Sequence, residues 1–555
     1  MNEQRNLIIF VLFFIGVMWA WDYFYAPNVP VPVEQAQQQP AQPQVAQPSA
    51  PTAVISRDQA LTLNQRLTVK SDTLQGSINL QGARIDDLRL LKYKETTDAD
   101  SKTIALLHPA QSSSPYFAQF GWVSNDKSIA VPDNNAQWQA DKASLSPGET
   151  ATLTWENATG QRFEQRITLD DQYVFTVTQR VYNDGAQALT FFPYARLTRT
   201  NVPETSGNYI LHEGPLGVLN GKLVEHKYDD LNDAGEIRSK SNGGWAGITD
   251  KYWLAAFIPG SKLSYDYFFQ NIHTGPQDTY LTGYYGQPVV ISPGQSSEVT
   301  DNFFAGPKVL DMLDAYEAKL NTEHFDLAVD FGWFYFITKP FFQALTAMHE
   351  WFGNFGIGIL LLTVLLKLLF FPLANKSYRS MARMKKLQPK MEKLKERYKD
   401  DKLKMNQELM NLYKKEKVNP MAGCLPIVIQ IPVFFALYKV LFISIEMRHA
   451  PFYGWIHDLS APDPTSIFNL FGVIPWDPPS MLMIGVWPII MGLTMFIQQK
   501  LNPTPSDPVQ EKMFMIMPVM LTFLLSNFAA GLVIYWAWNN VLSIIQQWAI
   551  MKSSK

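Results

Sequence analysis

Residues 356–371 read GIGILLLTVLLKLLFF, an apolar run with a single charge, Lys367, that ends just before Pro372. The run is about long enough to cross a bilayer. On insertion scales an ammonium near a helix centre costs roughly 2.5 to 3.5 kcal/mol, and each Leu, Ile, Phe or Val offsets roughly 0.3 to 0.6 kcal/mol of that cost. The apolar neighbours together outweigh the charge, so the sequence predicts a membrane span that carries a lysine.

Two environments are open to Lys367. It lies four residues from the end of the run, about 6 Å of helix rise, so its ammonium can snorkel to the lipid headgroups. The alternative is a hydrated cavity inside the membrane, which is a usual setting for an intramembrane charge. Thr363 lies one turn earlier on the same helix face. Position alone does not separate these two interpretations.

The overall composition hides two kinds of sequence. The chain has 555 residues, a net charge of −3 and a mean hydropathy of −0.09, yet apolar runs at both ends flank a polar middle. Cys424 is the only cysteine, so no disulfide framework holds the middle region. The sequence has no metal-ligand spacing and no Walker-type glycine loop. We expect no metal, no cofactor, no nucleotide hydrolysis and no direct nucleic-acid partner.

The first apolar run, residues 7–21, follows Arg5 and has the length of a signal-peptide core. The run ends in aromatic residues, namely Trp19, Trp21 and residues 23–25. Signal cleavage instead requires small residues just before the cut. Residues 1–25 are therefore predicted to be an uncleaved transmembrane anchor. Residues 26–55 are rich in Pro, Gln and Ala and are predicted to be a linker.

Residues 56–321 are predicted to form one domain, with period-two alternation to about residue 307 between turn signals such as Asn183-Asp184-Gly185 and helical spacing over residues 309–321. Many short strands of this kind predict a β-sandwich or barrel, here ending in a helix. Acid and base residues are scattered along it, so no dedicated catalytic site is expected. Residues 322–352 are aromatic-rich and predict an amphipathic helix in the membrane surface, with a buried helix of the β domain as the alternative.

Residues 374–418 are strongly basic, and Met384, Leu387, Met391 and Leu394 recur at intervals of seven. This pattern predicts a hairpin of two antiparallel helices packed through a Met-rich seam. Basic loops stay on the cytoplasmic side, so we expect both termini inside and the β domain outside. With residues 1–25 and 353–373, four more apolar segments complete six predicted spans: residues 421–445, 481–498, 513–527 and 531–551.

The later predicted spans are unusually polar. Some of these side chains are expected to hydrogen-bond between helices. Together with Lys367 they favour a hydrated intramembrane surface over snorkelling alone. They are Gln430, Lys439, Thr494, Thr522, Ser526, Asn527, Asn539, Asn540, Ser543, Gln546 and Gln547.

Residues 419–438 read NPMAGCLPIVIQIPVFFALY, and further landmarks occur at residues 353–356, 371–373, 387–389, 455–460 and 517–518. Over nearly its whole length the chain resembles the Gram-negative type of the YidC/Oxa-type family of bacterial membrane-protein insertases. The signature residues that carry the resemblance are Asn419, Pro420, Gly423, Cys424, Pro426 and Pro432.

The resemblance implies a polytopic α-helical membrane protein with a five-helix insertase core and a large periplasmic β-supersandwich like that of galactose mutarotase. It implies a non-enzymatic chaperone that inserts and folds inner-membrane proteins through a hydrophilic groove with one positive charge. The family's groove positions match four residues here, Lys367, Thr363, Gln430 and Trp536. The family commonly has Arg at the position of Lys367 and often has Tyr at the position of Trp536. On the cytoplasmic hairpin, client contacts are expected at Met384, Lys385 and Met391.

The partners implied by the resemblance are nascent membrane proteins, membrane lipids, and the Sec translocase with its accessory subunits. Little basic tail follows Met551, so any ribosome contact is expected at the hairpin and at residues 501–512. Two rival functions remain open. A secondary transporter for a small anion would show two related halves, which this sequence lacks. A structural scaffold of the Sec complex would have no insertase activity of its own.

Overall fold

The described residues fall into two compact units. The first comprises the chain up to Tyr93 together with Thr103–Ala328, and the second comprises Lys94–Lys102 and the chain from Val329 onward. The computed structural model describes residues 54–203, 211–274, 277–332, 335–398, 401–416, 418, 425–472, 474, 476, 478–479, 482–502 and 508–553. The predicted anchor at 1–25 and nearly all of the linker at 26–55 lie outside these residues, as do Asn419, Pro420, Gly423 and Cys424.

The first unit is built almost entirely of strands. Its first half contains α1 (Arg57–Thr62), β1 (Arg66–Lys70), β2 (Leu74–Asn79), β3 (Arg84–Lys94), β4 (Thr103–Leu107), β5 (Tyr116–Ser124), β6 (Gln139–Ala140), β7 (Ser144–Leu145), β8 (Thr150–Glu156), β9 (Gln161–Leu169) and β10 (Val174–Asn183). Its second half contains β11 (Leu189–Thr200), β12 (Gly214–Leu219), β13 (Lys222–Glu225), α2 (Tyr228–Ala234), β14 (Glu236–Asn242), β15 (Trp245–Thr249), β16 (Trp253–Pro259), β17 (Ser264–Thr274), β18 (Gln277–Tyr285), β19 (Val289–Ile291), β20 (Gln295–Pro307) and α3 (Leu310–Leu320).

These strands form two sheets. The larger has eleven strands in the order β14-β17-β18-β11-β5-β3-β2-β1-β7, with β19 paired to β11 and β4 to β3. The smaller has nine in the order β13-β12-β15-β16-β20-β10-β9-β8-β6. Aromatic rings join the sheets: Phe120 meets Phe257 with centroids 5.1 Å apart, and Phe163 meets Phe191 at 5.7 Å. The core of the domain therefore lies between two facing sheets.

The period-two pattern of the sequence follows this packing. Along β9 every second residue is buried, from Gln161 to Leu169, because successive side chains point to opposite sheet faces. The predicted turn after β10 is fixed by Asn183, which is fully buried and whose Nδ2 donates to the Gln187 carbonyl at 2.7 Å. The predicted all-β middle domain is thereby confirmed, as two sheets.

The second unit is helical. Its helices are α4 (Tyr335–Phe352), α5 (Phe355–Leu369), α6 (Phe371–Arg397), α7 (Lys402–Lys415), α8 (Leu425–Ile443), α9 (Val486–Leu501), α10 (Pro508–Leu525) and α11 (Ala530–Ser553). The α11 helix contacts α5, α6, α8 and α9. An apolar cluster of Met491, Leu525, Val533 and Ala537 packs α9, α10 and α11 together. This arrangement places α11 at the centre of the unit.

Within the described ranges, no helix taken alone combines the length and apolar character of a membrane span. The pair α5 and α6 meets that standard jointly, with a 69° bend between them. The predicted total of six spans is therefore not confirmed. The bend follows Lys367 by three residues, at Phe370, and Pro372 lies in the first turn of α6. A proline fits there because the N–H it lacks has no partner in a first helical turn.

The α6 and α7 helices pack against each other through an apolar seam. Its buried members are Leu387, Met391, Leu409 and Val418, and Met384, Leu394, Met405, Leu412 and Tyr413 pack around them. The Tyr413 hydroxyl contacts the Met391 sulfur at 3.7 Å. The methionines at intervals of seven thus lie on the inner face of a helical hairpin.

Candidate functional site

A cavity lined by both polar and apolar side chains lies in the helical unit beside Lys367. Its volume accessible to the centres of water molecules is ≈ 50 Å³, enough for a few waters, since one needs roughly 10 to 15 Å³. Four helices, α5, α6, α8 and α11, contribute its walls. The lining residues are Thr363, Leu366, Lys367, Phe370, Leu373, Ala374, Tyr378, Gln430, Val433, Tyr535, Asn539 and Gln546.

Lys367 is held by a hydrogen bond rather than by an ion pair. Its Nζ donates to the Ser543 hydroxyl at 2.7 Å, and Ser543 donates onward to the Asn539 carbonyl at 2.8 Å. No carboxylate of the described residues lies within 4.0 Å of this ammonium. Lys439 on α8 differs, because its Nζ lies 2.9 Å from the Asp330 carboxylate. The charge of Lys367 is therefore solvated by neutral groups.

One face of α11 supplies three of the polar lining residues, Tyr535, Asn539 and Gln546. Tyr535, Asn539, Ser543 and Gln546 follow at intervals of four, four and three residues, which places them in a single stripe along the helix. The stripe runs from residue 535 to residue 546, about 16 Å of helix rise. Ser543 is 2 % exposed and Asn539 8 %. Tyr535, Asn539 and Gln546 of this stripe line the cavity, and Ser543 accepts the hydrogen bond of Lys367.

The opposite walls carry two further residues expected at the groove. Thr363 is 1 % exposed, and its hydroxyl donates to the Ile359 carbonyl of its own helix at 2.6 Å. Gln430 donates from Nε2 to the hydroxyl of Tyr535. The structure thus brings Lys367, Thr363 and Gln430 to one cavity.

Comparison with known proteins connects the whole chain to one family. The family model described as the YidC periplasmic domain matches residues 66–344, and the model described as 60Kd inner membrane protein matches residues 347–555. Relatives named membrane protein insertase YidC, from Bradyrhizobium diazoefficiens and Brucella suis, are each 47% identical over 100% of this chain and 96% of their own length. The chain belongs to the YidC family of membrane protein insertases.

Two solved structures resemble this YidC-family chain. An active YidC insertase with its first transmembrane domain resolved aligns with 90% of this chain and 94% of its own, at 16% identity and a TM-score of 0.38. A putative aldose 1-epimerase from Escherichia coli aligns with 44% of this chain and 99% of its own, at 14% identity and a TM-score of 0.28.

Family membership assigns the general function. The chain is an inner-membrane insertase with a periplasmic domain, and the strands of the first unit, from Arg66 to Pro307, lie within the match to that domain. Insertases of this family are not enzymes.

One group of three carboxylates that lie close enough to share a metal ion, Asp314, Glu317 and Asp326, occurs in the described part of the first unit. Glu317 there accepts the Phe325 N–H at 2.8 Å and so fixes the turn after α3.

Trp536, the fourth expected groove residue of this YidC-family chain, is not among the residues that line the cavity. Its ring packs edge-to-face on Phe434 with centroids 4.9 Å apart, and it joins the cluster around Met491. The neighbouring Tyr535, 2 % exposed, lies at the cavity instead. Successive helical residues are 100° apart, so a one-residue difference selects a different neighbour.

The expected client contacts on the hairpin of this insertase have different environments. Lys385 is exposed, and its Nζ donates to the Leu501 carbonyl at 3.4 Å. Met384 is half-buried against the seam. Met391 is 5 % exposed and lies within the seam itself. In this conformation the basic side chain is therefore accessible, whereas the Met391 side chain is not.

Proposed function

We propose that this insertase receives the polar flank of a client, a nascent membrane protein, in the cavity beside Lys367 and releases the client's apolar segment into lipid. The observation that carries the proposal is an ammonium that lines a cavity within the helical unit and has no carboxylate partner among the described residues. An intramembrane charge normally has a partner or a watery path. Here the missing counter-charge would come from the client.

The energetics of this route favour insertion without nucleotide hydrolysis. A polar cavity reaching into the membrane shortens the dry distance that the client's flank must cross. Release into lipid buries apolar side chains at roughly 0.8 kcal/mol per CH₂. For an acidic flank the membrane potential adds about 2.3 kcal/mol per charge per 100 mV. Lys367 supplies attraction and hydration and takes part in no covalent step.

The proposed topology has six spans with both termini in the cytoplasm. The α5, α8, α9, α10 and α11 helices would form the five-span core, and residues 1–25 the anchor. Exposed apolar side chains along α10 support a lipid-facing surface, for example Met515, Ile516 and Val519 at 59 to 62 % exposure. The α4 helix would lie in the membrane surface, because Thr338 and Leu345 are buried while Trp351 is 81 % exposed.

The basic hairpin is the proposed first contact on the cytoplasmic side. Its residues 374–418 carry fifteen Lys and Arg against six Asp and Glu, which suits a negatively charged ribosome or headgroup surface. Lys385 and Met384 would meet the client directly, whereas contact with Met391 would require α6 and α7 to separate. The periplasmic domain, proposed to be a supersandwich, would serve cooperation with the Sec translocase and its accessory subunits.

Site-specific crosslinking tests the proposal. A photoreactive residue at position 363, 430 or 535 is expected to crosslink to a stalled nascent membrane protein. Leu365, 53 % exposed on α5 and not part of the lining, is the matched control position. The crosslinks should disappear when the client's apolar segment is replaced by a polar one. Equal crosslinking from position 365, or persistence without the apolar segment, would argue against a client-binding cavity.

Charge reversal provides a second test. Lys367→Glu should reduce insertion of clients with acidic translocated flanks, because the cavity would then repel the carboxylate, whereas Lys367→Arg should preserve it. Lys127→Glu makes the same net change at an exposed site in the first unit and should have no effect. Normal insertion by Lys367→Glu at wild-type protein levels would refute the role of the charge.

A further inference from the structure

Gln546 holds a buried donor without a partner. Its side chain lines the cavity, and its Nε2 has no hydrogen-bond acceptor among the described residues. Buried donors of this kind are rare, because leaving one unpaired is unfavourable. The last torsion of a glutamine is broad and roughly two-fold, so the amide can turn its nitrogen toward the cavity. The side chain is therefore suited to bind an acceptor that enters from outside.

Lys367 has spare donors at the same place. An ammonium carries three N–H bonds, and the only acceptor that the described chain provides within hydrogen-bond distance is Ser543. Gln546 follows Ser543 by three residues on α11, so their Cβ atoms are about 5 to 6 Å apart on one helix face. Both donors thus belong to side chains that line the same small cavity.

Three nearby polar side chains already donate hydrogen bonds within the protein. Thr363 donates to the Ile359 carbonyl, and Ser543 donates to the Asn539 carbonyl. Gln430 donates to Tyr535 across the cavity. The ammonium of Lys367 and the amide of Gln546 thus remain available to an incoming group that offers two acceptor oxygens.

We propose that Lys367 and Gln546 together clamp one client carboxylate, the ammonium binding one oxygen and the Gln546 amide the other. The inference rests on the proposed function and adds a specificity-determining residue to it. A single lysine acts as a point charge, whereas an arginine offers a planar fork that binds both carboxylate oxygens. The pair gives this cavity the geometry of that fork from two side chains on α5 and α11. Asp and Glu in a client flank are thereby distinguished from Asn and Gln.

The test uses the full-length protein in proteoliposomes and two clients. Their translocated flanks are identical except for one residue, which is Asp in one client and Asn in the other. The measured quantity is the ratio of protease-protected Asp client to protected Asn client. Gln546→Met keeps the length of the side chain and removes the amide, and is expected to lower this ratio three- to tenfold. Ile545→Leu, at an adjacent exposed position, is the control and should leave the ratio unchanged.

A rescue experiment distinguishes a clamp from a structural role. The guanidinium of Lys367→Arg supplies a second N–H donor of its own. Adding this substitution to Gln546→Met should therefore restore the wild-type ratio. An unchanged ratio in Gln546→Met, an equal loss for both clients, or failure of the arginine to rescue would each overturn the clamp. If the wild-type protein inserted neither client, the proposed function itself would be wrong, and so would the clamp. If Lys367→Glu abolished discrimination while Gln546→Met did not, only the clamp would be wrong.

Discussion

Asp301 on β20 allows a quantitative test of the periplasmic domain. The side chain is 0 % exposed between the two sheets, and burial raises its pKa from 3.8 to about 6. The Gly260 N–H, 3.2 Å from Oδ1, and the Tyr284 hydroxyl oppose this shift without cancelling it. At neutral pH the folded domain therefore contains an ionised carboxylate in an apolar interior.

The sign and size of the effect follow from linkage. Between pH 3.8 and about 6 the folded state holds a proton that the unfolded state has lost, so the free energy of unfolding falls as the pH rises. The difference of about 2 pKa units corresponds to about 3 kcal/mol at 1.36 kcal/mol per unit. This cost is absent below pH 3.8 and fully present above pH 6. Asp301→Asn removes the charge and keeps the shape, so it should stabilise the domain by up to about 3 kcal/mol at pH 7.5.

Hydrogen exchange of the β20 backbone amides in the full-length protein measures this change, because core strands exchange through global opening. The gain in Asp301→Asn should shrink to near zero at pH 4. Asp184→Asn, in the exposed turn after β10, is the control and should change little at either pH. A gain of the same size at both pH values would refute the reasoning, as would a loss of stability at pH 7.5.

Three further outcomes test the helical unit. Asp463 is 2 % exposed and accepts hydrogen bonds from the Trp455 indole and from the Trp487 N–H in the first turn of α9. Asp463→Ala should therefore lower the free energy of unfolding by about 1 to 2 kcal/mol, measured by thermal unfolding. Asp330→Ala removes the carboxylate of the Lys439 ion pair and should lower the free energy of unfolding by about 1 to 3 kcal/mol. Adding Lys439→Met removes the unpaired charge as well and should recover most of this loss. Leu387→Ala should weaken the hairpin seam by about 2 to 4 kcal/mol and speed hydrogen exchange in α7.

The β domain was the easier part to predict from sequence. Alternation along β9 and the turn at Asn183 reflect strand geometry directly, and a residue's face is fixed by its position in the strand. The pairing of distant strands could not be predicted in this way. For example, β11 pairs with both β5 and β18 in the larger sheet, and no local pattern in any of the three strands specifies those partners.

The cavity was predictable in part. Lys367 and Thr363 share a helix face by spacing alone, and the family resemblance added Gln430. The polar residues Asn539, Ser543 and Gln546 of α11 were also visible and favoured a hydrated surface, but spacing did not reveal which of them line the cavity and which bond between helices. Tyr535 was missed for Trp536, since two adjacent aromatic residues leave the rotation of the helix undetermined. Met391 was expected to contact clients, and the same seven-residue repeat that drew attention to it places it inside the hairpin.

The two lysines of the proposed spans explain why Lys367 suits an insertase. Lys439 forms an ion pair with Asp330, so its charge is neutralised within the protein. Lys367 instead faces Ser543 and neutral groups, an arrangement that is less stabilising than a matched carboxylate because a desolvated charge lacks its counter-charge. An internal carboxylate there would stabilise the fold and remove the affinity for an acidic flank. Local stability is thus given up at the one position where an incoming client can restore it.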